Sequence, residues 1–149
     1  MILRAVVFLG LLSVATGCTP GGVRTTSTVS KDVARFAELA HLPVRVQEVT
    51  FELTQHGDGF LGPSDFGVTA VMRVNEDDVP TLLADFEPVG SDIGLPERPW
   101  LLEALQGRGS ETGGGRLVIR GQAFKGRGGW TGLTRVGESS WFIFTSMTH

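Results

Sequence analysis

The pattern of apolar and polar positions changes character twice along the chain. Residues 5–12 form one apolar stretch after a single arginine, and residues 19–30 are small, polar and glycine-rich without apolar periodicity. From residue 31 onward, apolar residues recur at the spacings of helices and strands. The pattern predicts a hydrophobic leader over residues 1–17, a flexible tether over residues 18–30 and one folded domain over residues 31–149.

Helical spacing occurs at three places in the predicted domain. Ser30 can cap a first helix over residues 31–41, with Asp32 as an acid in its first turn, and Pro43 ends it. A second short helix follows Asn75 or Asp78, and a third begins near Trp100. Their apolar positions are Val33, Phe36, Ala37 and Ala40, then Val79, Leu82, Leu83 and Phe86, and finally Trp100, Leu101, Ala104 and Leu105. The Pro- and Gly-rich residues 88–99 are interpreted as a connection.

Alternating or compact apolar runs predict about five strands. Residues 44–54 alternate with a change of phase near Gln47 and Glu48, which predicts a β-bulge there. Residues 66–74 alternate strictly. The last third predicts a meander of three strands joined by glycine-rich turns, over residues 117–124, 130–136 and 141–147. The expected fold is α+β, a single small domain with one mainly antiparallel sheet and two or three short helices packed on one face.

The leader carries the clearest functional signal. Arg4 precedes the apolar stretch, and small residues lead to Gly17 and Cys18. About 20 apolar residues are needed to span a bilayer, so this stretch is an export signal rather than a membrane span. It resembles the signal peptide and lipobox of bacterial lipoproteins, although Ala15 stands where leucine is commonest. The resemblance covers residues 1–18 only, and no family is recognised for the folded domain.

The resemblance implies that Cys18 receives a diacylglyceryl group and becomes the first mature residue. The alternative is an ordinary secretory signal ending near Ala15 or Gly17, which would leave Cys18, the only cysteine, as a free thiol. Lipidation predicts an exported protein at the cell surface, the periplasmic face or the outer membrane. Thr19 replaces the aspartate that often marks retention at the inner membrane, which favours the outer membrane.

Charge is unevenly distributed in the predicted domain. Residues 45–111 hold 13 acidic and 4 basic side chains, whereas residues 115–149 hold 5 basic side chains and one acidic side chain. The two segments are expected to attract each other through solvated pairs. The alternative is a basic face at Arg116, Arg120 and Arg127 that meets an acidic partner or lipid head groups. Without Arg4 the net charge is −4, from 12 basic and 16 acidic residues, which gives no reason to expect nucleic acid.

One loop has the composition of a binding site. It contains His56, Asp58, Phe60, Leu61 and Asp65 between two predicted strands, and loops held by rigid strands often carry function. The alternative is an ordinary hairpin connection with Phe60 folded onto the core. The three histidines are far apart in sequence and show no metal-ligand spacing, and no glycine-rich run has a cofactor-binding pattern.

Two classes of function follow. The first is a lipid-anchored lipoprotein that presents a small interaction domain to a protein or cell-envelope partner. The second is a membrane-tethered hydrolase of envelope or extracellular substrates that uses His56 with Asp58 or Asp65. The sequence favours the first class, because it shows no convergent set of acid, base and nucleophile. We expect the residue pair Phe60 and Leu61 and the basic face to be the contact surfaces.

Overall fold

A computed structural model of the protein describes residues 25–57 and 65–148. The predicted signal peptide, Cys18 and the loop residues Asp58, Phe60 and Leu61 lie outside these ranges. The helices are α1 (Val33–Ala40), α2 (Val79–Leu83), preceded by a 3-10 turn at Glu76–Asp78, and α3 (Pro99–Leu105). The strands are β1 (Thr25–Ser30), β2 (Val46–His56), β3 (Asp65–Val74), β4 (Phe86–Pro96), β5 (Ser110–Gly113), β6 (Arg116–Gly126), β7 (Thr131–Val136) and β8 (Trp141–Thr148).

These strands form one antiparallel sheet in a single small domain. Seven strands follow the order β1-β2-β3-β8-β7-β6-β4, and β5 pairs with β6. β7 pairs with residues 121–125 of β6, whereas β5 pairs with residues 116–119. On one side, each half of the long strand β6 therefore has a different neighbour, and the change occurs at Gly121, whereas β4 lies along the other side.

Several elements confirm the predictions from periodicity. The first helix is confirmed as α1, but its N-cap is Asp32 rather than Ser30. The Asp32 carboxylate accepts a hydrogen bond from the backbone N–H of Arg35 at 3.0 Å, and the helix ends at His41 in the left-handed conformation. The register between β2 and β3 shifts between Val46 and Glu48, where the change of phase predicts a bulge. The meander β6-β7-β8 is present as predicted.

The prediction of about five strands is wrong, because β1, β4 and β5 were not recognised. Residues 25–30, predicted as part of the flexible tether, form β1 by pairing with residues 51–56 of β2. β1 is almost wholly exposed, so its sequence has no apolar alternation from which a strand could be predicted. Its conformation comes from the edge of β2 rather than from its own composition.

β4 replaces the predicted connection over residues 88–99 and also takes Phe86 from the predicted second helix. It pairs with β6 over its whole length, with register shifts between Pro88 and Gly90 and between Ser91 and Ile93. Proline cannot donate to a ladder, but it is tolerated on an edge strand and at bulges. The Pro and Gly residues that indicated a loop are thus accommodated by an irregular edge strand.

Helices cover both faces of the sheet, so the prediction that they pack on one face is also wrong. On one face, which we call the phenylalanine face, α1 and α2 pack with alternate residues of β2, β3 and β8; the cluster includes Phe36, Phe51, Leu82, Phe142 and Phe144. On the other face, which we call the α3 face, Leu101 and Leu105 pack with Val71, Leu117, Ile119, Val136 and Ile143. Val71 and Ile143 alternate with residues of the first cluster, because successive side chains of a strand point to opposite faces. Within residues 25–57 and 65–148, no helix has the length and hydropathy needed to cross a membrane.

Candidate functional site

The predicted binding loop is attached to the end of the sheet where β2 stops and β3 begins. His56 and Asp65 are opposite each other in the β2-β3 register. His56 Nδ1 is 3.3 Å from Thr25 Oγ1, the hydroxyl of the first residue of β1. The structure therefore brings His56 and Asp65 together, as the sequence predicts, and adds Thr25. The other candidate residues of this loop, Asp58, Phe60 and Leu61, lie outside the described residues.

Three exposed apolar side chains lie at the same end of the sheet and were not singled out from the sequence. Phe66, in β3, is 37% exposed, Met147, near the end of β8, is 49% exposed, and Trp130, before β7, is 61% exposed. The backbone N–H of Met147 donates to the Trp130 carbonyl at 3.1 Å, so these two residues are neighbours. Each residue belongs to an apolar run that predicts a strand, and nothing in the run distinguishes a core position from an exposed strand end.

Two of the three residues of the predicted basic face, Arg116 and Arg120, form bonds within the molecule. Arg120 forms ion pairs with Asp92 at 2.8 Å and with Glu111 at 2.9 Å, and Arg116 donates to the Gly94 carbonyl at 3.2 Å. Arg127 lies in the turn between β6 and β7. The attraction predicted between the acidic and basic segments is confirmed at Arg120. The use of the basic face as a contact surface for a partner stays a prediction.

The hydrogen bonds and ion pairs of Arg120 shift the pKa values of Arg120 and Asp92. The hydrogen bond from Arg120, helped by one from the backbone N–H of Gly121, lowers the pKa of Asp92 below its ordinary 3.8. Hydrogen bonds to Glu111 and then to Asp92 raise the pKa of Arg120. The three side chains are between 36% and 66% exposed, so the pairs fix the local geometry of β4, β5 and β6 more than they add to stability.

Sequence reasoning missed a buried carboxylate on the α3 face. Glu52 is 5% exposed and accepts hydrogen bonds from the Ser27 hydroxyl at 2.5 Å and from the Trp100 indole at 3.3 Å. It also forms an ion pair with Arg98, which precedes α3. Glu52 thereby joins β1, β2 and α3. Since it alternates with Phe51 and Leu53, the sequence indicates only that it lies on the face opposite those residues, where an acidic residue would be expected to meet solvent.

A groove lies beside the first half of β2. It has a volume of about 360 Å³ and is lined by Lys31, Val33, Gln47, Glu48, Val49, Thr50, Glu103, Ala104, Gln106 and Trp141. Successive strand residues point to opposite faces, so four consecutive residues of β2 can line one groove only where it follows the strand edge. β1 covers this edge only as far as Phe51. Among the described strands, none pairs with residues 46–50 on that side.

Charged and aromatic groups line this groove. The guanidinium of Arg108 lies 4.4 Å from the centre of the Trp141 ring, and that of Arg73 lies 6.0 Å from it. Arg73 also forms an ion pair with Glu48. Lys31 and Glu103 approach to 3.4 Å and connect the start of α1 with α3. The groove therefore offers an aromatic ring, both signs of charge and backbone groups of a strand edge.

Comparison with known protein families, with curated proteins and with solved structures found no match. In the described part of the chain, His, Asp and Glu side chains form no cluster of three or more that could hold a metal ion.

Proposed function

We propose that the protein is a lipid-anchored, extracytoplasmic lipoprotein that presents a small binding domain to a protein of the cell envelope. The observation that carries this proposal is the leader that ends in Gly17 and Cys18 and resembles a lipobox. Strand β1 begins at Thr25, seven residues after Cys18, so a lipid on Cys18 would be joined to the folded domain by a short segment.

The lipid supplies the attachment. Each buried methylene contributes about 0.8 kcal/mol, and two acyl chains give a stable anchor where one chain gives only a marginal one. A diacylglyceryl group on Cys18 meets this condition. The domain then has no need of a strong membrane affinity of its own, and its surface is available for a partner.

The groove beside β2 is the surface that best suits such a partner. An extended polypeptide can pair with an open strand edge through backbone hydrogen bonds, and neighbouring side chains then select its sequence. Residues 47–50 of β2 provide such an edge. Trp141 adds an aromatic side chain to the groove, and the guanidinium of Arg108 lies against its ring; tryptophan and arginine are among the residues that most often dominate binding energy at protein interfaces. We therefore infer an extended segment of a protein as the occupant.

A hydrolase is the second candidate, and one observation favours it. His56 and Asp65 are register partners, so the two residues lie opposite each other on β2 and β3, as a histidine and a carboxylate of one catalytic site could. His56→Ala separates the two candidates. If the protein cleaves envelope polymers, this change abolishes the cleavage. If it is a binding protein, His56→Ala leaves capture of the partner unchanged.

Site-directed crosslinking in intact cells tests the proposal. A photoreactive amino acid at Gln106, in the groove, is expected to crosslink one discrete protein after illumination. The matched control carries the same group at Val89, which is exposed on β4 at the far edge of the sheet. Crosslinking of the same protein from both positions, or of none from Gln106, would contradict partner binding in the groove.

Mass spectrometry of the native product tests the location. The expected product begins at Cys18 and carries acyl chains, and a Cys18→Ser variant is expected to lose them and to leave the membrane fraction. An intact Met1, or a bare thiol at Cys18, would overturn the anchor.

A further inference from the structure

One end of the sheet combines exposed apolar side chains with the start of the folded chain. Across neighbouring strands, Thr25 pairs with His56, His56 with Asp65, and Gly67 with Met147. The backbone N–H of Met147 donates a hydrogen bond to the Trp130 carbonyl. These residues form a row across β1, β2, β3 and β8 to the turn before β7. Phe66 is in phase with Val68 on the phenylalanine face, whereas Met147 is in phase with Ile143 on the α3 face. We call the end of the sheet that carries Phe66, Trp130 and Met147 the strand-end surface.

Covalent geometry keeps this end close to the proposed anchor. Six residues separate Cys18 from Thr25. Seven chain steps of at most about 3.6 Å span no more than about 25 Å. The opposite end of the sheet, marked by Trp141 at the start of β8, is six residues from Met147 along that strand. At about 3.4 Å per residue this adds about 20 Å.

We propose that the strand-end surface rests on the lipid bilayer, with Trp130 and Met147 in the interfacial region. This orientation rests on the proposed lipid anchor at Cys18. Tryptophan side chains concentrate at membrane interfaces because they combine a large apolar ring with a polar N–H group. A short tether produces a local concentration in the millimolar range, so a few exposed apolar side chains are sufficient to bias the orientation.

Charge does not select this surface. The strand end carries Lys125 and Arg127 together with Asp65, Asp85 and Glu87, so both signs are present. The contact is therefore driven by apolar burial, and its strength is expected to change little between low and moderate salt. A partner bound mainly through head-group charge would show a strong dependence on salt.

This orientation assigns opposite roles to the two ends of the sheet. Trp141 lines the groove beside β2 and lies at the end away from the strand-end surface. When Trp130 meets the bilayer, Trp141 and the groove point away from it. A partner then reaches the groove without competition from lipid.

Tryptophan quenching in reconstituted vesicles tests the orientation. The native lipoprotein is placed in phosphatidylcholine vesicles that contain lipids brominated near the head group. We expect quenching of tryptophan emission that is lost in Trp130→Phe and retained in Trp141→Phe. Circular dichroism and thermal unfolding of both variants confirm that they remain folded.

The outcomes separate this inference from the proposed anchor. Vesicle flotation and the mass of the modified Cys18 report on the anchor. If the protein floats with vesicles but the quenching is unchanged in Trp130→Phe, the proposed orientation is wrong and the anchor stands. If the protein does not float and Cys18 carries no lipid, the anchor and the orientation both fail.

Discussion

The two faces of the sheet are built on different principles. On the phenylalanine face, the ring of Phe36 meets Phe51 at a tilt of 44° and Phe144 edge to face at 88°, with ring centres 5.5 Å apart in both pairs. On the α3 face, the apolar cluster is bordered by the carboxylate of Glu52 and by Trp141 with its two arginines. The cluster of the first face consists of apolar side chains. The other combines apolar packing with directional polar bonds beside the groove.

This difference indicates that one kind of contact mainly stabilises the fold and the other mainly positions its elements. Apolar packing is non-directional and supplies most of the free energy of folding. A buried, hydrogen-bonded carboxylate adds little net stability, but it fixes the relative positions of the elements that it joins. Glu52 fixes α3 against β1 and β2, and α3 forms one wall of the groove. Substitutions on the two faces should therefore change the free energy of unfolding by different amounts and for different reasons.

The largest effect is expected on the phenylalanine face. Phe36 is fully buried, and Phe36→Ala should lower the free energy of unfolding by about 4 kcal/mol, because it removes ring contacts and leaves a cavity. Urea denaturation measures the change. Leu39→Ala on the exposed side of the same helix is the control and should change stability by less than about 1 kcal/mol. Equal losses in the two variants would contradict the packing described here.

At Gly121, the neighbour of β6 on one side changes from β5 to β7. The buried side chains of β6 also change there, from the cluster of the α3 face to that of the phenylalanine face. A Cβ at this position would lie 1.7 Å from the Arg135 carbonyl oxygen, which is part of the backbone of β7. Gly121→Ala should therefore cost about 3 kcal/mol by forcing β6 and β7 apart. Gly90→Ala has open space around the new methyl group and is the control for thermal unfolding. If Gly121→Ala has no larger effect than this control, the close approach is wrong.

The polar bonds of the α3 face should respond asymmetrically. Arg98→Ala leaves the buried Glu52 carboxylate without its cation and should cost about 3 kcal/mol. Glu52→Gln retains a side chain that can hydrogen-bond, and Arg98, which is 41% exposed, stays hydrated, so the cost should be about 1 kcal/mol. Chemical denaturation of both variants checks the order. If Glu52→Gln cost more stability than Arg98→Ala, the expectation that the buried carboxylate is the group that needs its partner would be wrong.

The smallest effect is expected at Asp92. Its pKa is lowered in the folded protein by Arg120, so the unfolded chain binds more protons in acid. This contribution to stability is fully present above about pH 4 and is lost as the pH falls through the folded-state pKa. Asp92→Asn should remove only this part of the acid dependence, as measured by denaturation between neutral pH and pH 2. An unchanged acid profile in the variant would contradict the pair with Arg120.

The elements predicted correctly are those whose apolar side chains recur at the spacing of a helix or in runs of strand length. α1, β3 and the meander β6-β7-β8 have apolar residues at helical spacing or in strand-length runs, and all lie near their predicted bounds. β1 and β4 have no such signal, because their conformation depends on pairing with β2 and β6. Edge strands bury little, so selection for apolar alternation is weak where they form.

The candidate site was predictable only where residues are close in sequence. His56 and Asp65 flank one loop, and their proximity follows from a hairpin. Glu52 meets Trp100 and Ser27 across 48 and 25 residues of sequence, and the groove combines α1, β2, α3 and β8. Such contacts depend on which face α3 covers. The alternation of β3 and β8 shows that they have two faces, but not which helix packs on each.

The direction of β1 also determines how the domain bears mechanical load. The chain joins β1 at Thr25, and all six residue pairs between β1 and β2 lie beyond that point. If Cys18 carries the proposed anchor and the groove holds the proposed partner, a pull between them runs along the axis of β1 and acts on these pairs in shear. The six pairs must then yield together instead of separating one at a time.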